Sequence, residues 1–149
     1  MAQKRTLTLT LHVDGLKEAL RAISKLPKDA QVEVRDRALT IAEGLAIKLR
    51  VAARGESAQA GLMAPTIRAR RDRVPSVEAG GTRRVGRKRK PAYKILFGSE
   101  FGSHLPQFKP HLGRGSYWFY KTFEDNQEAL MSEWAEAVNE VADKWGRSG

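Results

Sequence analysis

Few residues in this chain have reactive side chains, and their spacing decides what chemistry they could do. Three histidines, His12, His104 and His111, are candidates for ligating a metal or moving a proton near neutral pH. His12 falls on the polar side of an alternating segment. The other two lie seven residues apart in a loop with no carboxylate cluster nearby, so all three are expected to be solvated. The chain has no cysteine, which removes thiolate nucleophiles, disulfides and cysteine-ligated zinc or iron–sulfur centres. Ser116 follows Gly113-Arg114-Gly115, which is neither the Gly-x-Ser-x-Gly elbow of a serine nucleophile nor a phosphate loop ending in Gly-Lys-Ser/Thr. Glu100 stands alone beside Phe101, and because acid–base sites need paired environments it is read as a surface carboxylate. The expectation is a protein that is not an enzyme and holds no metal or cofactor.

What remains is charge. The 27 basic and 17 acidic residues leave a formal net charge of +10. Most of the excess lies in residues 68–90, where Arg68, Arg70, Arg71, Arg73, Arg83, Arg84, Arg87, Lys88, Arg89 and Lys90 face only Asp72 and Glu78. Residues 121–149 carry the opposite excess, with Glu124, Asp125, Glu128, Glu133, Glu136, Glu140 and Asp143 against three basic residues. Phosphate contacts need Lys and Arg at such a density, yet no aromatics are interleaved to stack bases. Three readings of these ten candidate contact residues stay open: docking on an acidic protein surface, contact with DNA, and a solvated loop. A second cluster, Tyr117-Trp118-Phe119-Tyr120 with Phe123, also reads two ways. Four consecutive aromatics cannot all face one core from a helix, so Tyr117, Trp118 and Tyr120 are candidates for a subunit interface, with core packing as the alternative.

The elements that position these residues follow from periodicity. Residues 6–13 alternate Thr and Leu strictly, as a strand with one buried face requires. Asp14 is placed to cap a short amphipathic helix over 16–26, which Pro27 interrupts. A second helix of about 25 residues is expected from 29 to 55 on its apolar stripe, with Gly44 either a weak point or a close-packing site. Pro65, Pro75 and Gly80-Gly81 cut the middle into short pieces, read as strands at 66–71, 75–79 and 92–97. The basic excursion over 80–91 is expected to be a mobile hairpin tip, followed by a loop over 98–115 and a last helix over 116–145. These elements make one α+β domain spanning 1–149: a small mixed or antiparallel sheet packed on a long helix pair and a long C-terminal helix, with an extended basic hairpin loop. No apolar run approaches the roughly 18 residues of a membrane span, and the first residues lack the apolar core of a signal peptide, so neither membrane insertion nor export by that route is expected.

The order of these features resembles the tail-completion family of long-tailed double-stranded DNA phages, small neck or minor-tail components related to the lambda tail-completion protein. The carrying features begin with a first strand leading to Gly15-Leu16, a helix ending near Leu26-Pro27, and Ala52-Ala53-Arg54 at the close of the second helix before Ala64-Pro65. They continue with Ser99-Glu100-Phe101-Gly102-Ser103, similar to the family's Glu-Phe-Gly-Thr turn, and a Gly-rich approach to Tyr117-Trp118-Phe119. Thr66-Ile67-Arg68 stands where the family commonly has Thr-Gly-x-Leu, and the long basic insert is unusual for it. The resemblance implies a structural virion protein, made in the host cytoplasm, that forms a six-fold ring at the head-proximal end of the tail. It implies neighbouring neck proteins, the tail terminator and the tail tube as partners, and double-stranded DNA in the lumen. It also implies that Phe101 and Gly102 form a tight turn at a sheet edge near the subunit interface. A tail terminator or head–tail stopper is the alternative within this class, and a basic DNA-binding module is the alternative outside it.

Overall fold

A computed structural model describes residues 6–11, 16–81, 83–111 and 115–146. The chain is α+β, with a small antiparallel sheet set against two long helices. Strand β1 (Thr6–Thr10) pairs with β3 (Ser76–Gly80), and β3 pairs on its other edge with β2 (Arg68–Arg70). The register sets Leu9 opposite Val77, and these two residues with Leu11 and Ala79 make the buried face of the sheet. The alternation of residues 6–11 therefore survives, while His12, Val13 and the expected cap Asp14 lie outside the described residues.

Helix α1 (Leu16–Ser24) is shorter than expected because Pro27 has no amide hydrogen to extend it and occupies the cap position of the next helix. The exposed end is satisfied by Gln31, whose amide donates to the carbonyls of Ser24 (3.2 Å) and Leu26 (3.0 Å). Helix α2 (Lys28–Glu56) runs 29 residues, about 43 Å at 1.5 Å per residue. Its buried stripe, Ala30, Val34, Ala38, Ala42, Leu45, Ala46, Leu49 and Ala53, is mostly alanine, so neighbours approach closely. Gly44 neither breaks the helix nor packs against anything: a Cβ there would meet nothing within 4 Å.

Helix α5 (Phe119–Gly146) packs chiefly on α2, antiparallel to it, through Phe119, Phe123, Leu130, Trp134, Ala137 and Val141. Bonds along the seam fix the register. Arg37 donates to Glu140 (2.8 Å), Lys48 to Asn126 (2.9 Å), and the Trp145 indole to Glu33 (2.7 Å). Trp134 also donates to the Arg73 carbonyl (2.9 Å), tying α5 to the turn before β3. Between α2 and the sheet, helix α3 (Ala58–Gly61) starts at Ser57, whose hydroxyl accepts from the Ala60 amide (3.0 Å), and a 3-10 turn follows at Ala64–Thr66.

One element differs in kind from the sequence reading. Residues 92–97, read as a strand on their aromatic and β-branched content, begin helix α4 (Ala92–Phe101). The buried positions Ala92, Ile95, Leu96 and Ser99 recur at helical spacing, and Pro91 at the cap supplies a fixed φ that starts the first turn. Tertiary burial of that stripe overrides local strand propensity. The strand expected at 66–71 shrinks to β2, since Ala64–Thr66 coils and Thr66 donates to the Met63 carbonyl (2.7 Å) and accepts from the Gly80 amide (3.0 Å).

Candidate functional site

The basic stretch divides into two places. Around β2, Arg68 is paired with Glu78 and Arg71 with Asp36, so their charges are partly compensated. Arg70 is exposed, and the Arg73 carbonyl is held by Trp134. The other six belong to a short hairpin of β4 (Arg84–Val85) and β5 (Lys90–Pro91), with Arg89 at φ 52° in its turn. Arg83 donates to the Pro65 carbonyl (2.6 Å) and Arg84 to the Arg89 carbonyl (2.9 Å), so these two side chains hold the hairpin in shape. Arg87, Lys88 and Lys90 are exposed and make no ion pair among the described residues.

Beside the hairpin lies an apolar groove of about 500 Å³, walled by Tyr93, Phe97 and Phe101 of α4 and by Leu105 and Phe108 of the following loop. A second cavity of about 300 Å³ under the hairpin shares Lys90, Ile95 and Gln107 with it. Arg87, Lys88, Lys90 and Lys94 line the pair, and no carboxylate does among the described residues. Gly98 sets the depth of the groove, because a Cβ there would lie 2.6 Å from the Phe108 ring.

The groove is held by a second device that sequence reasoning misread. Glu100, expected at the surface, is fully buried. Its Oε1 accepts from the amides of Trp118 (3.0 Å) and Phe119 (2.8 Å), and its Oε2 accepts from the amide of Tyr120 (2.8 Å). The carboxylate thus caps the N-terminus of α5, where three amides need acceptors and the helix dipole favours negative charge. The Glu100 carbonyl also accepts from the Tyr117 amide (2.8 Å). Burial raises the Tyr120 hydroxyl pKa above its ordinary 10.0, and the Glu100 carboxylate adds to the rise. The S/T/D/N capping rule did not find this partner because it lies 18 to 20 residues upstream rather than next to the helix.

The aromatic candidates separate in space. Trp118, read as a subunit contact, is 2% exposed and donates its indole N–H to Ser99 (3.1 Å), so it is spent on the chain's own core. Tyr117 and Tyr120 are half-buried. The Tyr117 hydroxyl donates to the Pro110 carbonyl (2.6 Å), and the Tyr120 ring meets Phe101 at 6.1 Å. Phe101 and Gly102 do not turn at a sheet edge but close α4. Gly102 takes φ +83°, and a Cβ there would lie 2.1 Å from the Pro110 carbonyl oxygen. His104 and His111 are exposed, and no group of three His, Asp or Glu among the described residues is placed to hold a metal.

The acidic excess runs along α5. Glu124, Asp125, Glu128, Glu133, Glu136 and Asp143 are exposed and make no ion pair among the described residues. Glu133, Glu136 and Glu140 line a cleft of about 320 Å³ with Arg37, Thr40 and Ile41 of α2. Since α5 is about 42 Å long at 1.5 Å per residue, the carboxylates extend away from the hairpin end. In comparisons with known proteins, no family model, no curated protein and no solved structure matches this chain.

Proposed function

We propose that this chain is a structural virion protein of a phage neck, a tail-completion component that forms a ring at the head-proximal end of the tail, joins it to the head and lets DNA pass. The observation that supports this most is the separation of unpaired charge. Arg87, Lys88 and Lys90 crowd the hairpin beside an apolar groove, while carboxylates run along α5, and neither set makes an ion pair among the described residues, Glu140 apart. Patches of opposite sign on different parts of one chain can meet between copies, and such head-to-tail contacts close into rings when the rotation between copies allows it. Opposite potentials also speed encounter and fix orientation. The six-fold copy number and the position among neck proteins come from the family resemblance of the sequence.

The test is the assembled state. Purified protein should form ring-shaped particles in negative stain and a multiple of the chain mass by light scattering. Neutralising Arg87, Lys88 and Lys90 to Gln should leave the circular dichroism spectrum unchanged and weaken assembly, because these exposed cations make no ion pair among the described residues. The same cations favour the second reading, a DNA-binding module. A strictly monomeric protein that binds duplex DNA, with affinity falling steeply as salt rises, would replace the ring proposal with that one.

A further inference from the structure

We infer that the apolar groove is the socket of the contact between copies, and that its occupant is the exposed face of α2 from a second copy of this chain. This rests on the ring reading above and names the surfaces that make it. Ile47 and Val51 are 58% and 63% exposed, the two most exposed large hydrophobic residues in the described chain. They lie one helical turn apart. Thr40, Gly44, Ile47 and Val51 follow one another at steps of three and four, so they form one strip along α2. Gly44 leaves that strip low, with open space above it.

Charge selects the same pairing. Thr40, at the N-terminal end of the strip, lines the α2–α5 cleft together with Glu133, Glu136 and Glu140, of which Glu140 is paired with Arg37 and the other two make no ion pair among the described residues. The strip is therefore apolar at Ile47 and Val51, with carboxylates at its Thr40 end and the exposed Lys48 and Arg54 at its Val51 end, whereas the groove is apolar with Lys90 and Lys94 on its rim and no carboxylate among the described residues. Strip against groove sets carboxylates opposite ammonium groups and buries two branched side chains among Phe97, Phe101, Leu105 and Phe108. Groove and strip are different surfaces of one chain, so the contact is head-to-tail and leaves a free groove and a free strip at either end of a pair.

The absence of cysteine allows a clean experiment. Val51→Cys protein is mixed with Leu105→Cys protein under mild oxidation, and the mixed disulfide dimer should form faster than either protein alone dimerises. In parallel, Ile47→Asp and Leu105→Asp, both at exposed positions, should keep the wild-type circular dichroism and weaken self-association roughly 30-fold or more in sedimentation equilibrium, the loss typical of an interface anchor. Wild-type rings with Ile47→Asp rings of equal affinity, or Val51→Cys pairing with itself in preference to Leu105→Cys, would overturn the socket and leave the ring reading standing. A wild-type protein that is monomeric at all concentrations would overturn both.

Discussion

Replacing Glu100 with Gln tests whether one buried carboxylate holds α5 in place. The side chains match in shape, so no cavity opens. Gln keeps an oxygen for the amides of Trp118 and Phe119 but turns an NH2 toward the Tyr120 amide, which Oε2 now accepts at 2.8 Å. The lost charge-assisted bond and the orphaned amide cost about 1.5–3 and 1–3 kcal/mol. Removing the charge from the helix N-terminus costs up to about 2 kcal/mol more. Relief from burying a carboxylate offsets several kcal/mol of this sum. Because the native charge meets three amides, the bonds win, and Gln should destabilise by about 2–4 kcal/mol. For a chain of this length that lowers Tm by roughly 4–16 °C. Urea unfolding followed by circular dichroism measures the loss, and Glu100→Ala, which leaves all three amides without an acceptor, should lose more. The Tyr120 hydroxyl supplies a readout inside the site. Burial, the larger cause of its raised pKa, persists in the Gln variant, while the push from the carboxylate vanishes, so its ionisation should move down only part of the way toward 10.0. A Gln variant with the wild-type urea midpoint, or an Ala variant more stable than Gln, would refute the cap as an energetic element.

Two further substitutions probe the helix pair. Gly44→Ala should stabilise the monomer by about 0.5–1 kcal/mol in urea melts, since Ala is the better helix former and its Cβ meets nothing within 4 Å. The Glu33 carboxyl is held below its ordinary pKa of 4.5, first by the Trp145 indole and then by Lys144. A depressed carboxylate stabilises the fold above its unfolded pKa and loses that contribution as pH falls through the folded value. The Tm gap between wild type and Glu33→Gln should therefore be widest near neutral pH and should close as pH drops below about 4.5.

How far the fold could be read from the sequence depended on how local its signals were. The alternation of residues 6–11, the stripe of α2 and the spacing of Phe119, Phe123, Leu130, Trp134 and Val141 each lie within one element, and each predicted the right element. Over 92–101 two local signals conflicted. Tyr93, Ile95 and Phe97 suggested a strand, while Ala92, Ile95, Leu96 and Ser99 carried the helical period that burial selected. The cap by Glu100 was invisible for a different reason: its partners are backbone amides 18 to 20 residues away, and no side-chain pattern marks a backbone donor. The groove was hidden in the same way, because Tyr93, Phe97, Leu105 and Phe108 converge only after Gly98 lets Phe108 close on α4. The charge excess was plain from composition, but its division into compensated arginines at β2 and hairpin cations that make no ion pair among the described residues needed the positions of Glu78 and Asp36.

Helix α4 joins these observations into one mechanical unit. One face of it walls the groove through Tyr93, Phe97 and Phe101, and Ile95 and Leu96 root it in the core. Its last turn delivers Glu100 to the start of α5, and Gly102 ends it in a conformation that lets the chain press against Pro110. The groove and the acidic helix are therefore set relative to each other by α4, by the Glu100 cap and by the bonds of Trp118 to Ser99 and of Tyr117 to the Glu100 carbonyl. On the ring reading this matters, since the angle between the groove and the α2 strip, which is packed on α5, sets how many copies close the circle. Loosening the cap should then do more than lower stability. On the same reading, Glu100→Gln protein, kept below its melting temperature, should assemble into particles of mixed size where the wild type should give one, because the groove and the α2–α5 pair no longer hold a single angle.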